Sequence, residues 1–288
     1  MKKSFCGVRL CALFLLICTH FGSLSAQENL GPKRFRLPFD LREVSGLAAV
    51  TPDSLWWHND GGNDATIFLT DRSGELLYEK NIGVRNRDWE DLSCDPEGRL
   101  YLGDFGDNRR VRDDLIIYRY DPQTEQVDSF PFQFPNQARH DTEAFFIHQD
   151  TFHLFTKHRI SRAKLMTYHY VVPAVGGGQT AVLRDSLALR KRVVTAAAIH
   201  PETGAVALLA YYYTKRLGFI PYSAANLYFL RDYPDGHFLK GRIQSRRISF
   251  VVATQYEAVD FLTDRQLMVA SEQTLFIKAK AKRKRTRR

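Results

Sequence analysis

Apolar and polar residues alternate over short runs along most of the chain, and Gly, Asp, Asn or Pro separates the runs. A period of two, rich in aromatic and β-branched residues, predicts strands. No long segment carries a helical period. Five of the runs share one form, in which a polar residue able to offer oxygen opens the apolar alternation. The openers are Ser45, Glu90, Glu143, Thr195 and Glu257, spaced 45, 53, 52 and 62 residues apart. A second apolar run follows each opener, at Leu55, Leu100, Phe152, Ala205 and Leu267. Repeats of this length built from short strands predict a radial β-propeller.

The remaining strands of each repeat can be placed from the same pattern. Tight-turn sequences at Thr51–Asp53, Asp95–Gly98 and Pro201–Gly204 separate first from second strands. Third strands are expected at Thr66–Thr70, Leu115–Tyr120, Leu165–Tyr170, Asn226–Leu230 and Thr274–Lys278. Fourth strands are expected at Glu75–Asn81, Gln126–Phe132, Ala181–Leu189 and Leu239–Ser249. The fifth repeat lacks a fourth strand, and Lys33–Phe39 is a spare one ahead of the first repeat. Placing it in the last blade closes the ring and hides sheet edges. The expectation is an all-β, five-bladed β-propeller over residues 33–278, closed by an N-terminal strand. A six-bladed ring is the alternative, because the 62-residue repeat leaves room for one. A β-sandwich would not explain the repeats.

Composition changes the picture at both ends. A positive start (Lys2, Lys3), an apolar run from Leu10 to Phe21 and small residues at Ser23–Ala26 predict a signal peptide over 1–26, cleaved near Ala26. An uncleaved anchor is the alternative; Ile17 is bulky where lipid attachment at Cys18 would want a small residue. Cys6, Cys11 and Cys18 lie in that leader, which leaves Cys94 alone and no internal disulfide in the mature chain. That usage suits a bacterial export product, secreted or periplasmic, with no transmembrane segment once processed. The net charge of +9 is concentrated in the leader and in residues 278–288; the rest carries 30 basic residues against 32 acidic ones. The body is therefore not a nucleic-acid surface, and no specific nucleic-acid partner is expected. The like-charge block at 279–288 predicts a basic disordered tail able to touch an anionic surface. The mature protein is expected to be a monomer.

In a propeller, first strands line the central channel, so the openers meet around one axis. Loops after the second strands reach the same face and bring Asn59–Asp64, Asp104–Asn108, Lys157–Arg159, Tyr211–Arg216 and Ser271–Glu272. Three carboxylates near one axis repel, each pair at about 5 Å costing roughly 3 kcal/mol at an effective dielectric near 20. Protons, arginines or a hard cation could offset this. Ser45 and Thr195 add neutral oxygens, and no Cys or His stands in the ring, which disfavours soft-ligand metals. Calcium held by Ser45, Glu90, Glu143, Thr195 and Glu257 is set against Glu residues that only cap strands or pair with Arg. The Asp/Asn/Gly run at His58–Asp64 could be a second cation loop or plain turn chemistry.

At these positions the chain resembles the calcium-activated nucleotidase (apyrase) family, whose inner strands open with Ser, Glu, Glu, Ser and Glu. Tyr256–Leu262 carries the closest likeness, Glu43 has a counterpart, and Asn59 and Asp60 stand where that family has paired aspartates. The resemblance implies a five-bladed propeller with calcium in its channel. Separately, His58–Asn63, Asp88–Leu92 and Gly103–Asn108 resemble exported bacterial propellers of no assigned function. Two functions are open. One is a metal-assisted hydrolase of a phosphoanhydride or phosphoester, with Asp60 or Asp104 as general base and Arg87, Lys157, Arg159 and Arg216 binding the anion. The other is a non-catalytic surface propeller that binds a glycan, peptide or partner, with any calcium structural.

Overall fold

The computed structural model describes residues 32–286 apart from 160–163, 217–219, 253 and 275–276, without the side chains of 158–159, 164, 190, 213–216, 220–221 and 249–252. The predicted signal peptide lies outside the described residues. Five antiparallel sheets form, one per repeat, and each runs outward from an inner strand. The inner strands are Val44–Thr51, Trp89–Cys94, Thr142–His148, Val193–Ile199 and Tyr256–Thr263. Each neighbours the next, and the fifth neighbours the first, so the ring is closed. The fold is a five-bladed β-propeller. The extra length of the fourth repeat goes into strands of 11 and 12 residues (Val206–Arg216, Ile220–Arg231, Arg242–Val252) and not into a sixth blade.

The hydrophobic core lies between blades, because each sheet has two faces to bury. Five apolar clusters alternate with the five sheets. Trp57 and Met268 share the cluster between blades five and one. Trp89 and Ile67 share that between one and two, Phe105 and Phe145 that between two and three. Phe155 and Leu208 fill the next interface, and Leu227 and Val269 the last. Alternation puts one residue of each adjacent pair into each interface.

Closure follows the predicted logic with a shifted partner. Arg34–Arg36 is the outermost strand of blade five, as expected of the N-terminal spare. Its neighbour is Lys280–Arg285, in register from Arg34 opposite Lys282 to Arg36 opposite Lys280. The third strand was expected at Thr274–Lys278, and residues from 279 onward as a disordered tail; both expectations are corrected. Like charges do not prevent a strand here because they alternate with Ala279 and Ala281, which are buried against blade one with Phe35. Backbone bonds from Leu37 to the Ala279 carbonyl (3.1 Å) and from Arg283 to the Lys33 carbonyl (3.0 Å) extend the seam.

No helix among the described residues is long and apolar enough to cross a membrane. The closing strand makes a direct test of the ring. Phe35→Ala should lower stability by about 3–5 kcal/mol, the usual range for emptying a buried aromatic site. The measurement is the urea midpoint at constant m; an unchanged midpoint would show that the seam does not hold the ring.

Candidate functional site

The openers stand near the start of each inner strand, but their side chains divide by chemistry. The Ser45 hydroxyl donates to the Glu90 carbonyl at 2.6 Å, and the Thr195 hydroxyl donates to the Tyr256 carbonyl at 2.8 Å. Each bond ties one blade to another, and both hydroxyls are buried. They act as straps between inner strands. The three glutamates are left to face the channel mouth.

Glu143 has its own counter-ion. The Lys157 ammonium is buried, donates to Glu143 Oε1 and lies 4.0 Å from Asp141 Oδ2. Burial opposes the charge on Lys157, yet Glu143 and Asp141 lift its pKa above the ordinary lysine value. Burial raises Glu143 to about 8, with Lys157 pulling it back. Lys157, expected to hold a substrate anion, is thus already paired.

Asp60 is the residue shared by two other acid sets. In one set a carboxylate oxygen of Asp60 meets oxygens of Asp88 and Glu90, and in a second set an Asp60 oxygen meets oxygens of Glu257 and Glu272, all within 4.8 Å of one another in each set. Burial first, then Glu257, lifts Asp60 to about 7. Burial and the charges of Glu143 and Asp60 push Glu90 well above the carboxylate range. Glu257 is raised by burial and by Glu272, and Glu272 itself reaches about 7, chiefly through burial. Gln255 Nε2 bridges that pair, donating to Glu272 at 2.8 Å and to Glu257 at 3.2 Å. Asp88 is raised by burial, with Arg112 opposing.

Two glycines let the backbone close on these oxygens. A Cβ on Gly106 would fall 2.0 Å from Glu90 Oε1 and 2.6 Å from Asp88 Oδ2, and one on Gly61 would fall 2.5 Å from Asp88 Oδ1. The Asp60 carbonyl accepts bonds from Asn63 and Asn86, both at 3.0 Å, so the Asn59–Asp64 loop is fastened to the loop before the second inner strand. The Asn59 side-chain nitrogen donates to the Asp40 carbonyl at 2.6 Å, and its Oδ1 is buried with no hydrogen-bond partner among the described residues.

Asp104 proves to be a scaffold residue. It is buried and accepts the Arg87 and Asp88 backbone N–H groups at 3.1 and 3.0 Å, and it pairs with Arg112 at 2.9 Å. Both oxygens are engaged and the side chain is buried, so its bonds hold the loop before the second inner strand. The Arg87 guanidinium pairs with Asp114. The side chains of Arg159 and Arg216 lie outside the described residues. Asp88 and Glu272 were not singled out from the sequence, although both flank quoted features: Asp88 precedes Trp89-Glu90, and Glu272 closes the loop after the fifth blade's second strand. Only the ring geometry shows that they complete the mouth.

Every donor here is a carboxylate oxygen, the chemistry of a hard cation site. Without a cation, protons hold the cluster together. No family model matches the chain, and no curated protein matches it. Among solved structures, a gluconolactonase from Xanthomonas campestris aligns with a TM-score of 0.48 at 10% identity, over 88% of this chain and 89% of that one. A likeness at that level does not reach the chemistry of a site.

The raised acids predict a pH dependence with a definite sign. Asp60 has an ordinary value of 3.8 and is lifted to about 7 in the fold. The folded state therefore holds a proton that the unfolded chain has lost, and stability falls as pH rises between those values. In chelator at pH 8, Asp60→Asn should stabilise the protein by roughly 2 kcal/mol, discounted for partial exposure. At pH 4 the gain should vanish. Thermal melts at the two pH values check this; an equal effect at both would remove the repulsion argument.

Proposed function

We propose that the chain is a calcium-binding propeller whose acidic mouth acts as a metal-assisted hydrolase of a small anionic substrate, with phosphate esters and anhydrides as the first class to test. The observation that carries the reading is the position of Asp60, whose carboxylate lies within 4.8 Å of acid oxygens from the second blade in one set and from the fifth in another. Asp88 and Glu90 would hold the cation from one side, Glu257 from the other, and Asp60 between them, with Glu272 beside the ion as a carboxyl outside its ligand set. Glu143 adds negative charge beside Glu90 while Lys157 balances it. The Ser45 and Thr195 hydroxyls donate their protons to neighbouring strands and keep oxygen lone pairs that would serve as neutral ligands beside this set.

A bound calcium would polarise a substrate oxygen and orient water. The protein's part is to exclude water behind the site and to move a proton. Asp60 sits at the shared corner and goes to the cation. Glu272, lifted to about 7, is tuned to accept a proton from water near neutral pH. Likeness to the nucleotidase family at the inner-strand openers supports the phosphate class, and export through the leader belongs to the same reading.

One observation favours a second function. Arg87 and Lys157 are both engaged by acids of the protein itself. A mouth whose cations are already paired suits a glycan or peptide ligand on a non-catalytic propeller with structural calcium. A single experiment separates the two. The protein is assayed against phosphate esters, phosphoanhydrides, carboxylic esters and lactones with calcium and with chelator, beside Glu90→Gln and Glu272→Gln. The hydrolase reading expects turnover that chelator abolishes and that Glu272→Gln lowers by about 10²-fold or more. The binding reading expects a calcium-dependent rise in melting temperature with no turnover. Neither a melting shift nor turnover would overturn both.

Calcium binding should also release protons at pH 6, because Asp60, Glu90, Glu257 and Glu272 hold them in its absence, and release fewer at pH 9. Titration calorimetry in buffers of different ionisation enthalpy reads the difference directly; a count that does not change with pH would mean that the ion binds elsewhere.

A further inference from the structure

The strand that completes blade five carries an unusual face. Lys280, Lys282 and Lys284 lie opposite Ser271, Val269 and Leu267 in the register, so they project from the side of the sheet whose inner residues pack against blade four. On the other side of the strand Ala281 packs toward blade one. Across the seam, Arg34 is opposite Lys282 and Arg36 opposite Lys280, on the same face and exposed. Blade four supplies Arg246, two residues from Ile248 in the same interface, and its guanidinium donates to the Arg285 carbonyl at 3.0 Å. The apolar interface of the inner strands thus gives way, further out, to an interblade seam, or groove, lined by cations.

These cations have no acid to answer them. Among the described residues, no salt bridge engages Lys280, Lys282, Lys284, Arg34, Arg36 or Arg246. Neutral oxygens position two of the ammonium groups: Lys282 donates to the Tyr256 hydroxyl at 3.0 Å and Lys284 to the Ile248 carbonyl at 3.3 Å. An ammonium has three donors, so each keeps others to offer. Burial and then the neighbouring Lys282 lower the pKa of both Lys280 and Lys284, a sign of charge held close without compensation. A face with one sign of charge raises the local concentration of anions beside it.

We propose that the groove between blades four and five, walled by Lys280, Lys282, Lys284, Arg34, Arg36 and Arg246, binds a linear, densely charged acidic glycan. Along the strand, alternate lysines repeat at about 7 Å, and the arginine row lies about 5 Å to one side. That is a two-row lattice suited to a chain with charges on both flanks. The three lysines are half-buried beside the exposed arginines, so the charge sits in a narrow line between two blades and not on a broad flat face. No exposed large aromatic among the described residues stands in the groove, so the stacking platform that single-stranded nucleic acid uses is missing. Nor does the groove present the exposed apolar surface on which peptide side chains dock. Charge alone is left as the means of recognition, and a sulfated or uronate-bearing glycan needs nothing more.

The test uses the full chain and a fluorescent sulfated octasaccharide, titrated by anisotropy across a salt series. Arg34→Gln/Arg36→Gln changes only exposed side chains; Lys280→Gln/Lys284→Gln changes the recessed row. Each pair should weaken binding and lower the slope of log affinity against log salt by roughly one unit per cation removed. Circular dichroism melts identify any variant that fails to fold, and the exposed pair keeps the question answerable in that case. Unchanged affinity in folded variants of both pairs would overturn the groove. Tighter binding to a single-stranded oligonucleotide, to polyglutamate or to anionic vesicles would overturn the glycan assignment.

Discussion

Five inner strands converge without forming a common sheet, and the structure depends on how their inward-facing backbone groups are satisfied. A buried N–H or C=O left unpaired costs as much as a lost hydrogen bond. Here side chains reach from blade to blade to meet that need. Ser45 and Thr195 donate to carbonyls of blades two and five. Asp91 accepts N–H groups from Phe145 and Ala197, both at 3.0 Å, and so joins the second, third and fourth blades. Asp260 accepts the Ala49 N–H at 2.7 Å and joins the fifth to the first, while Ser93 accepts from Ile147 at 3.2 Å. The channel is polar because closure needs it to be.

This sorts the acids of the channel. Asp91 and Asp260 are raised by burial and lowered by the N–H groups they accept, two or three apiece. Their oxygens are spent on the scaffold. At the mouth the opposition comes from elsewhere: other carboxylates raise Asp60, Glu90 and Glu257 further, and a single buried ammonium, Lys157, is the cation that opposes all three. Carboxylates with few donors and many like neighbours are the ones ready for a proton or an ion. The distinction follows from hydrogen-bond inventory, not from depth, since both kinds are buried or half-buried.

That inventory also marks what the sequence could show. Strand alternation and repeat spacing made the blades and the opener ring legible, because inner strands obey a period of two and start at one structural position. The N-terminal closing strand was legible as the one segment without a repeat. The charge run at 279–288 was misleading: like-charge composition speaks for solvation only when no apolar partner alternates with it, and Ala279 and Ala281 do so here. The work of Ser45, Thr195, Asp91 and Asp260 was hidden because a side chain's bond to a backbone 45 or more residues away leaves no local trace. Lys157 and Asp104 were read as free groups for the same reason. Their partners, Glu143 and Arg112, come close only through the fold.

Tyr256 is the place where the two unusual regions of the molecule meet. Its carbonyl accepts the Thr195 strap of the inner ring, its hydroxyl accepts the Lys282 ammonium of the cationic groove, and Glu257 follows it into the acidic mouth. The side chain is buried in the interface between blades four and five, so the strand that bears it is held at both ends of the residue. A β-bulge at Glu257 interrupts the alternation, so that Tyr256 packs toward blade four and Ala258 toward blade one, with Glu257 turned into the acidic mouth between them. Salt screens exposed charges beyond about 10 Å, and a wall of apolar packing keeps the lysines from folding back onto the acids. Between residues 27 and 277 the charges nearly cancel, 30 basic against 32 acidic. Yet the acids gather at the mouth with Lys157 as their cation and, among the described residues, the last strand's lysines have no acid partner. A rigid interblade core is what allows both to persist, because only a fold that fixes side-chain direction can hold such charges apart.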